Sequence, residues 1–188
     1  MDIISRSPQA GWPEDVLHFW FQELTPRDWF AKSDELDARI RSRFLSLYEA
    51  LAADGAAQVH GPLDLQAAVI VLDQFSRNLF RNDARAFAAD AVARKLAAQA
   101  MDEGLDQRLP PEQRIFLYLP FEHSEDRADQ ARAVALVSTL GNENWTRYAL
   151  AHQALIERFG RFPHRNAVLG RESTAEEIEV LKQPFGSF

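Results

Sequence analysis

Three stretches of this chain place charged side chains beside aromatic ones at spacings that could do chemistry. In Leu72–Arg81 the positions of Asp73, Arg77 and Arg81 are four apart, so they line one face of a helix. Two guanidinium groups on one face make a bidentate anion grip, with Asp73 orienting Arg77. The competing reading is a solvated face with one intrahelical ion pair, a common arrangement that contributes only about 0.3–0.5 kcal/mol.

The second stretch runs Leu117-Tyr118-Leu119-Pro120-Phe121 and then turns abruptly polar with Glu122, His123, Ser124, Glu125 and Asp126. Ser124 as a helix N-cap, with Glu125 and Asp126 in the first turn, accounts for the later residues. It does not account for Glu122 and His123 directly after an apolar run. A histidine between acids has its charged form favoured, which suits proton transfer or donation to a ligand.

The third stretch, Arg158 to Thr174, concentrates Arg158, Arg161, His164, Arg165 and Arg171 in an otherwise acidic chain. Phe159 and Phe162 anchor it, and Gly160, Pro163 and Gly170 set its turns. Basic groups just past a helix C-terminus are favourable in themselves. An irregular, aromatic-pinned loop with several bidentate donors, including Arg161, Arg165 and Arg171 beside His164 and Asn166, points further, to ligand recognition.

Composition narrows the chemistry. The 188 residues contain no Cys, which removes disulfides, thiolate metal sites and cysteine nucleophiles and fits a reducing cytosol. The net charge of -7 gives no general attraction to nucleic acid. Only Lys32, Lys95 and Lys182 among the 21 basic residues are lysines, so the cationic chemistry is that of planar guanidinium forks. Phosphate-cradling glycine loops, a nucleophile elbow and helical zinc or di-iron spacings are all missing, and no cofactor or metal is called for. The opening Met1–Arg6 lacks the basic-then-apolar order of a leader, and the longest clean apolar run, Ala67–Leu72, is far too short for a bilayer.

The elements that must carry these residues are helices. Pro13 with Glu14 and Asp15 opens one that ends near Gln22. Ser33 caps a second, whose stripe is Leu36, Ile40, Phe44, Leu47 and Leu51. A third covers Leu63–Leu79. Asn82-Asp83 caps an alanine-rich fourth, placed centrally, that ends at Glu103. Pro110-Pro111 starts a short fifth, closed by Pro120. Ser124 caps a sixth to Leu140. A seventh spans Glu143–Phe159 and is stopped by Gly160. It buries Trp145, Tyr148, Ala149, Leu155, Ile156 and Phe159, with His152 on the same stripe as a hydrogen-bonded core histidine. Ser173-Thr174-Ala175-Glu176 reads as a capping box for an eighth. No alternating strand appears and no linker divides the chain. The expectation is a single all-α domain, 1–188, of about eight helices stacked as antiparallel pairs.

The motifs L-D-Q-F-x-R-N-x-F-R (Leu72–Arg81), Y-L-P-F-E-H-S-E (Tyr118–Glu125) and R-F-G-R-F-P-H-R-N-x-x-L-G-R-x-S-T (Arg158–Thr174), with the opening W-P-E-D-V-L-H-F-W-F, resemble the bacterial family called domain of unknown function 924. The resemblance spans nearly the whole chain, and Ser76 departs from it by standing where the family has Pro. It implies an all-α fold like tetratricopeptide repeats without their consensus, and it implies no activity.

The functional expectation is a cytosolic protein that binds a small anionic metabolite or a peptide carboxylate. The three stretches should meet around one cleft: Arg77, Arg81, Arg161, His164, Arg165 and Arg171 grip the anion, while Asp73, Glu122, His123 and Asn166 orient them or read its polar part. A rival is a hydrolase with Glu122 or His123 as general base, with or without a metal. A third possibility is a partner-binding module using Trp12, Trp20 or Trp29, which read more naturally as core. Neither nucleic acid nor membrane is an expected partner, and the pattern leaves the oligomeric state open.

Overall fold

A computed structural model describes residues 10–187; Met1–Arg6, with its non-leader pattern, lies outside them. Among the described residues the regular structure is helical throughout, with no strand. Helix α1 (Trp12–His18) passes into a π-helical turn, Phe19–Glu23. Then come α2 (Asp34–Ala53), α3 (Pro62–Val69), a second π turn (Ile70–Phe75), α4 (Ser76–Leu79), α5 (Asp90–Asp102), α6 (Pro111–Glu122), α7 (Arg127–Ser138), α8 (Glu143–Phe159) and α9 (Ala175–Val180). The all-α class expected from the 3.6-residue period is the class observed.

Contacts divide the chain into two compact units. Of the described residues, the first comprises those up to Arg81 together with Arg85–Leu117; the second comprises Asn82–Ala84 with residues 118–187. The boundary falls inside α6.

The first unit is built around α3, its π turn and α4. Every residue from Leu65 to Ser76 is buried. A helix covered on all sides is central, so this segment, and not the alanine-rich α5, holds the middle. Helix α5 packs against it through one face, Ala93, Leu96, Ala97 and Ala100. The aromatic core joins Trp20 to Trp29, Phe75 and Phe116 at ring separations of 6.4, 5.4 and 5.5 Å. Trp20 and Trp29 are thus core residues, and the Trp29 indole N–H donates to the Trp20 carbonyl (2.8 Å). Trp12 is partly covered.

The structure departs from the sequence expectation at several points, each for a physical reason. The π turn inserts extra backbone into the third helix, so Asp73 is fully buried and does not lie on a solvated face. Asn82-Asp83 precedes a 3-10 turn, Ala84–Phe87, and α5 begins only at Asp90. Pro120 lies inside α6, which runs on to Glu122. A proline inside a helix costs about 3 kcal/mol. Each large apolar side chain buried between Ile115 and Phe121 returns about 1.5–3 kcal/mol, so burial wins. Helix α7 is capped by Asp126, whose carboxylate accepts from the Ala128 and Asp129 amides (2.8 and 3.1 Å). Ser124 instead donates to Asp129 (2.7 Å).

In the second unit α7 and α8 pack together as a hairpin joined by a short turn. Helix α8 has the boundaries read from the sequence, capped by the Asn142 side chain and stopped by Gly160 in the left-handed region (φ 69°). Its buried stripe is Ala149, His152, Leu155 and Ile156, while Tyr148, expected inside, is exposed. Leu155, Ile156, Phe162 and Val180 form a core cluster with Phe159 against it. The box opening α9 is shifted by one residue from Ser173/Glu176. Thr174 accepts from the Glu177 amide and Glu177 from the Thr174 amide (3.2 and 2.7 Å). Both registers fit the pattern, and Glu177 prevails because its carboxylate also meets Arg161.

Candidate functional site

The end of α6 supplies Glu122 and His123, the middle of α8 supplies His152, and the loop after α8 supplies Phe162, His164 and Arg165. All belong to the second unit. Gln130 of α7 holds the end of α6 in place. Its buried amide nitrogen donates to the carbonyls of Glu122 (2.6 Å) and Ser124 (2.7 Å), which the helix end leaves without intrahelical donors.

His152 is the best-defined member. Its Nδ1 lies 2.9 Å from the Tyr148 carbonyl oxygen and 3.1 Å from Glu122 Oε1. Two acceptors on one ring nitrogen assign its proton to Nδ1 and leave the lone pair on Nε2. Burial holds the imidazole well below the ordinary histidine pKa. The positive groups of His123, His164 and Arg165 add to that shift, against the opposing bond to the Tyr148 carbonyl. The neutral ring is the form that fits this setting, so the contact with Glu122 is a hydrogen bond.

Phe162, fully buried, is the hub. The His152 ring stands edge-on to it at 5.5 Å, the His164 ring lies at 5.5 Å, and the Arg165 guanidinium sits over its face at 4.6 Å. The His123 ring is 6.1 Å from that of His152. His123 and His164 are half-buried; Glu122, His152 and Arg165 are buried. The constellation therefore runs inward from the surface.

The loop bearing Phe162 is clamped at two points. At the first, Glu125 accepts from the Phe162 amide (2.8 Å) and takes both terminal nitrogens of Arg171 (2.8 and 2.9 Å). Partial burial raises the Glu125 carboxyl, but the Arg171 and Phe162 bonds outweigh it and hold the pKa below the usual range. At the second, Glu177 accepts from Arg161 through Nε and an η nitrogen (2.6 and 2.8 Å). The Arg161 bond, backed by the Thr174 amide and Asn166, brings Glu177 down to about 2. Asn166, fully buried, also donates to Ser173 (3.0 Å).

The expected site residues fall into three groups by what each side chain touches. Glu122, His123, His164 and Arg165 come together. Arg161, Asn166 and Arg171 lie in the clamps that hold the loop. Asp73, Arg77 and Arg81 belong to the first unit. There Arg77 forks onto Asp90 (3.1 Å to each oxygen), with Asp73 at 3.5 Å. Arg81 lies past the end of α4 and forks onto Asp37 (2.7 Å twice), which also accepts from Asn78 (2.8 Å). His152 was read as core, and its place on the α8 stripe was the only signal for it. Asp37, Asp90 and Glu177 carried none, because each meets its arginine from 13 to 44 residues away.

Among the described residues no group of three or more His, Asp or Glu is arranged to hold a metal ion, and no helix is long and apolar enough to cross a membrane.

A sequence model of a bacterial protein family of unknown function, DUF924, matches residues 16–185. The chain belongs to this family. A solved structure, that of the protein of unknown function ATU0120 from Agrobacterium tumefaciens, is 38% identical. It covers 94% of this chain and 100% of its own, with a TM-score of 0.87. No curated protein matches. All three motif segments quoted above lie inside the matched DUF924 span.

Proposed function

We propose that this DUF924 protein binds a small anionic ligand, a metabolite or peptide bearing a carboxylate or phosphate group, at the His123–His152–His164–Arg165 constellation. The observation that carries the reading is convergence. Three separate elements bring His152, His164 and Arg165 around Phe162 and the His123 ring to that of His152, in a chain that is acidic overall. Gathering the buried Arg165 guanidinium with the half-buried His123 and His164 imidazoles, each positive when protonated, disfavours the fold. An anion offsets that cost.

Arg165, over the Phe162 ring, offers a preorganised fork. Glu122 orients His152, and the Glu125–Arg171 and Glu177–Arg161 pairs frame the loop. A chain without Cys fits the cytosol as its compartment. Neither nucleic acid nor membrane enters this reading.

The test is thermal unfolding with inorganic phosphate. Stabilisation should follow RT ln(1 + [L]/Kd), about 2.7 kcal/mol at a hundredfold excess over Kd. Arg165→Lys should weaken the response because a point charge does not reproduce the fork, and chelator should leave it unchanged. Absence of any stabilisation by phosphate, sulfate or acetate overturns the reading.

A further inference from the structure

We propose that residues 181–187 form a releasable catch that closes α9 over the core of the second unit, so that α9 works as a flap hinged at Glu177 and fastened at Phe185. The proposal is independent of the anion-binding reading.

The hinge end is firmly held. Glu177 takes Nε and an η nitrogen of Arg161 and completes the capping box with Thr174. Arg158 and Glu176 form a further ion pair beside it. These ties all lie in the first turn of α9. The other end of the helix, Val180, is buried in the cluster that contains Leu155, Ile156 and Phe162. Lifting α9 from that end uncovers this apolar cluster.

The fastened end is built differently. The Gln183 amide donates to the Val180 carbonyl and the Gly186 amide to the Gln183 carbonyl (3.0 Å each), bonds that coil the segment on itself. It is Phe185 that reaches back to α8. Its ring meets that of Tyr148 edge-on at 5.2 Å, and the Arg147 guanidinium lies over it at 5.5 Å. Gly186 is buried against the end of α9, where an added Cβ would overlap the Val180 carbonyl oxygen, so the closed position is shaped for glycine.

Closure is opposed from within. Phe185 sits in the left-handed region (φ 61°), which a bulky side chain adopts only under strain. One aromatic pair shifts an equilibrium by roughly two- to tenfold. A strained residue held by a contact of that size is a two-state element at the low-stability end of the structure. Displacing Phe185 from Tyr148 opens it.

The test is hydrogen exchange of the intact protein, read by mass spectrometry on peptides from residues 181–187, α9, α8 and α7. In the wild type, residues 181–187 should exchange more slowly than an unstructured chain yet faster than α8. Phe185→Ala should speed their exchange roughly two- to tenfold and leave α7 unchanged. Phe185→Tyr, which keeps the ring, should match the wild type. Gly186→Ala should speed exchange in residues 181–187 and in the last turn of α9. Tyr148→Ala should act through the same contact, so Tyr148→Ala/Phe185→Ala should exchange no faster than Phe185→Ala alone.

Wild-type exchange at the unstructured rate overturns the proposal, because the catch is then not closed. So does a Phe185→Ala protein that exchanges like the wild type. Equal acceleration throughout the second unit would make the segment part of the core and not a catch. Additive effects in the double variant would show that Phe185 does not hold through Tyr148.

Discussion

Glu125 and Phe162, 37 positions apart, are joined by a 2.8 Å hydrogen bond from the Phe162 amide to the Glu125 carboxylate. The bond ties the α6–α7 junction to the loop after α8. One oxygen of that carboxylate also accepts from Arg171, and its other oxygen takes the second nitrogen of the fork. A single acidic side chain thereby holds in place the residue around which His152, His164 and Arg165 are gathered.

Glu125→Gln should therefore destabilise the protein by about 1–3 kcal/mol, the loss of charge-assisted bonds at a half-buried site. Glu125→Ala should cost more, because it also removes the acceptor for the Phe162 amide. Urea denaturation measures both, and equal stability of wild type and Glu125→Ala would show that the clamp contributes nothing.

Acid should act through Glu177. Its folded pKa of about 2 lies below the ordinary 4.5, so the unfolded chain binds the proton more readily. The stabilisation is fully present above pH 4.5 and is lost as pH falls from there toward 2. The depressed pKa of Glu125 adds to the loss in the same direction. Urea midpoints taken from pH 6 to pH 3 should fall, and the fall should be shallower in Glu177→Gln. A Glu177→Gln profile parallel to wild type would assign the acid sensitivity to other groups.

His152 should stay neutral, protonated on Nδ1, well below pH 6.5. Burial first, and then the positive charges of His123, His164 and Arg165, hold its pKa down. In the unfolded chain it protonates near 6.5, so its share of stability is present above that pH and declines as pH falls below it. Nitrogen-detected NMR of the imidazoles tests this. A His152 signal titrating near 6.5 would contradict the buried, neutral assignment.

Arg77→Lys should separate the first unit from the binding reading. Arg77 forks onto Asp90 and lies against Phe87 at 5.7 Å. Lysine loses the fork, and stability should drop by about 1–3 kcal/mol. The phosphate-induced rise in melting temperature should not change. Loss of that rise in Arg77→Lys would bring the Leu72–Arg81 segment into the ligand site.

Gln130→Glu tests the support beneath Glu122. The buried amide nitrogen is the donor to the Glu122 and Ser124 carbonyls. A carboxylate offers no donor and sets like partial charges against each other, so the substitution should cost about 1–3 kcal/mol for each carbonyl left unpaired. Gln130→Leu should cost less than Gln130→Glu. The opposite order would mean that the amide is not the anchor it resembles.

The helical class, the span of α8 and the glycine that stops it were legible in the chain, as was the crowding of charge beside aromatics in three segments. All of these are local. Periodicity, a Ser33 cap and a left-handed Gly160 act within a turn or two of helix. The pairing of charges was not legible. Arg161 meets Glu177 across 16 positions, Arg81 meets Asp37 across 44, and Arg171 meets Glu125 across 46. Nothing in the sequence near either partner marks the other. Packing likewise decided the π turn that buries Asp73, the continuation of α6 through Pro120, and the choice of Thr174 over Ser173 as cap. In each case two local arrangements were close in free energy, and burial or a distant charge made the difference. His152 shows the division most plainly. Its place on an apolar stripe follows from the 3.6-residue period, but Glu122 and Phe162, which hold the ring, reach it only through the fold.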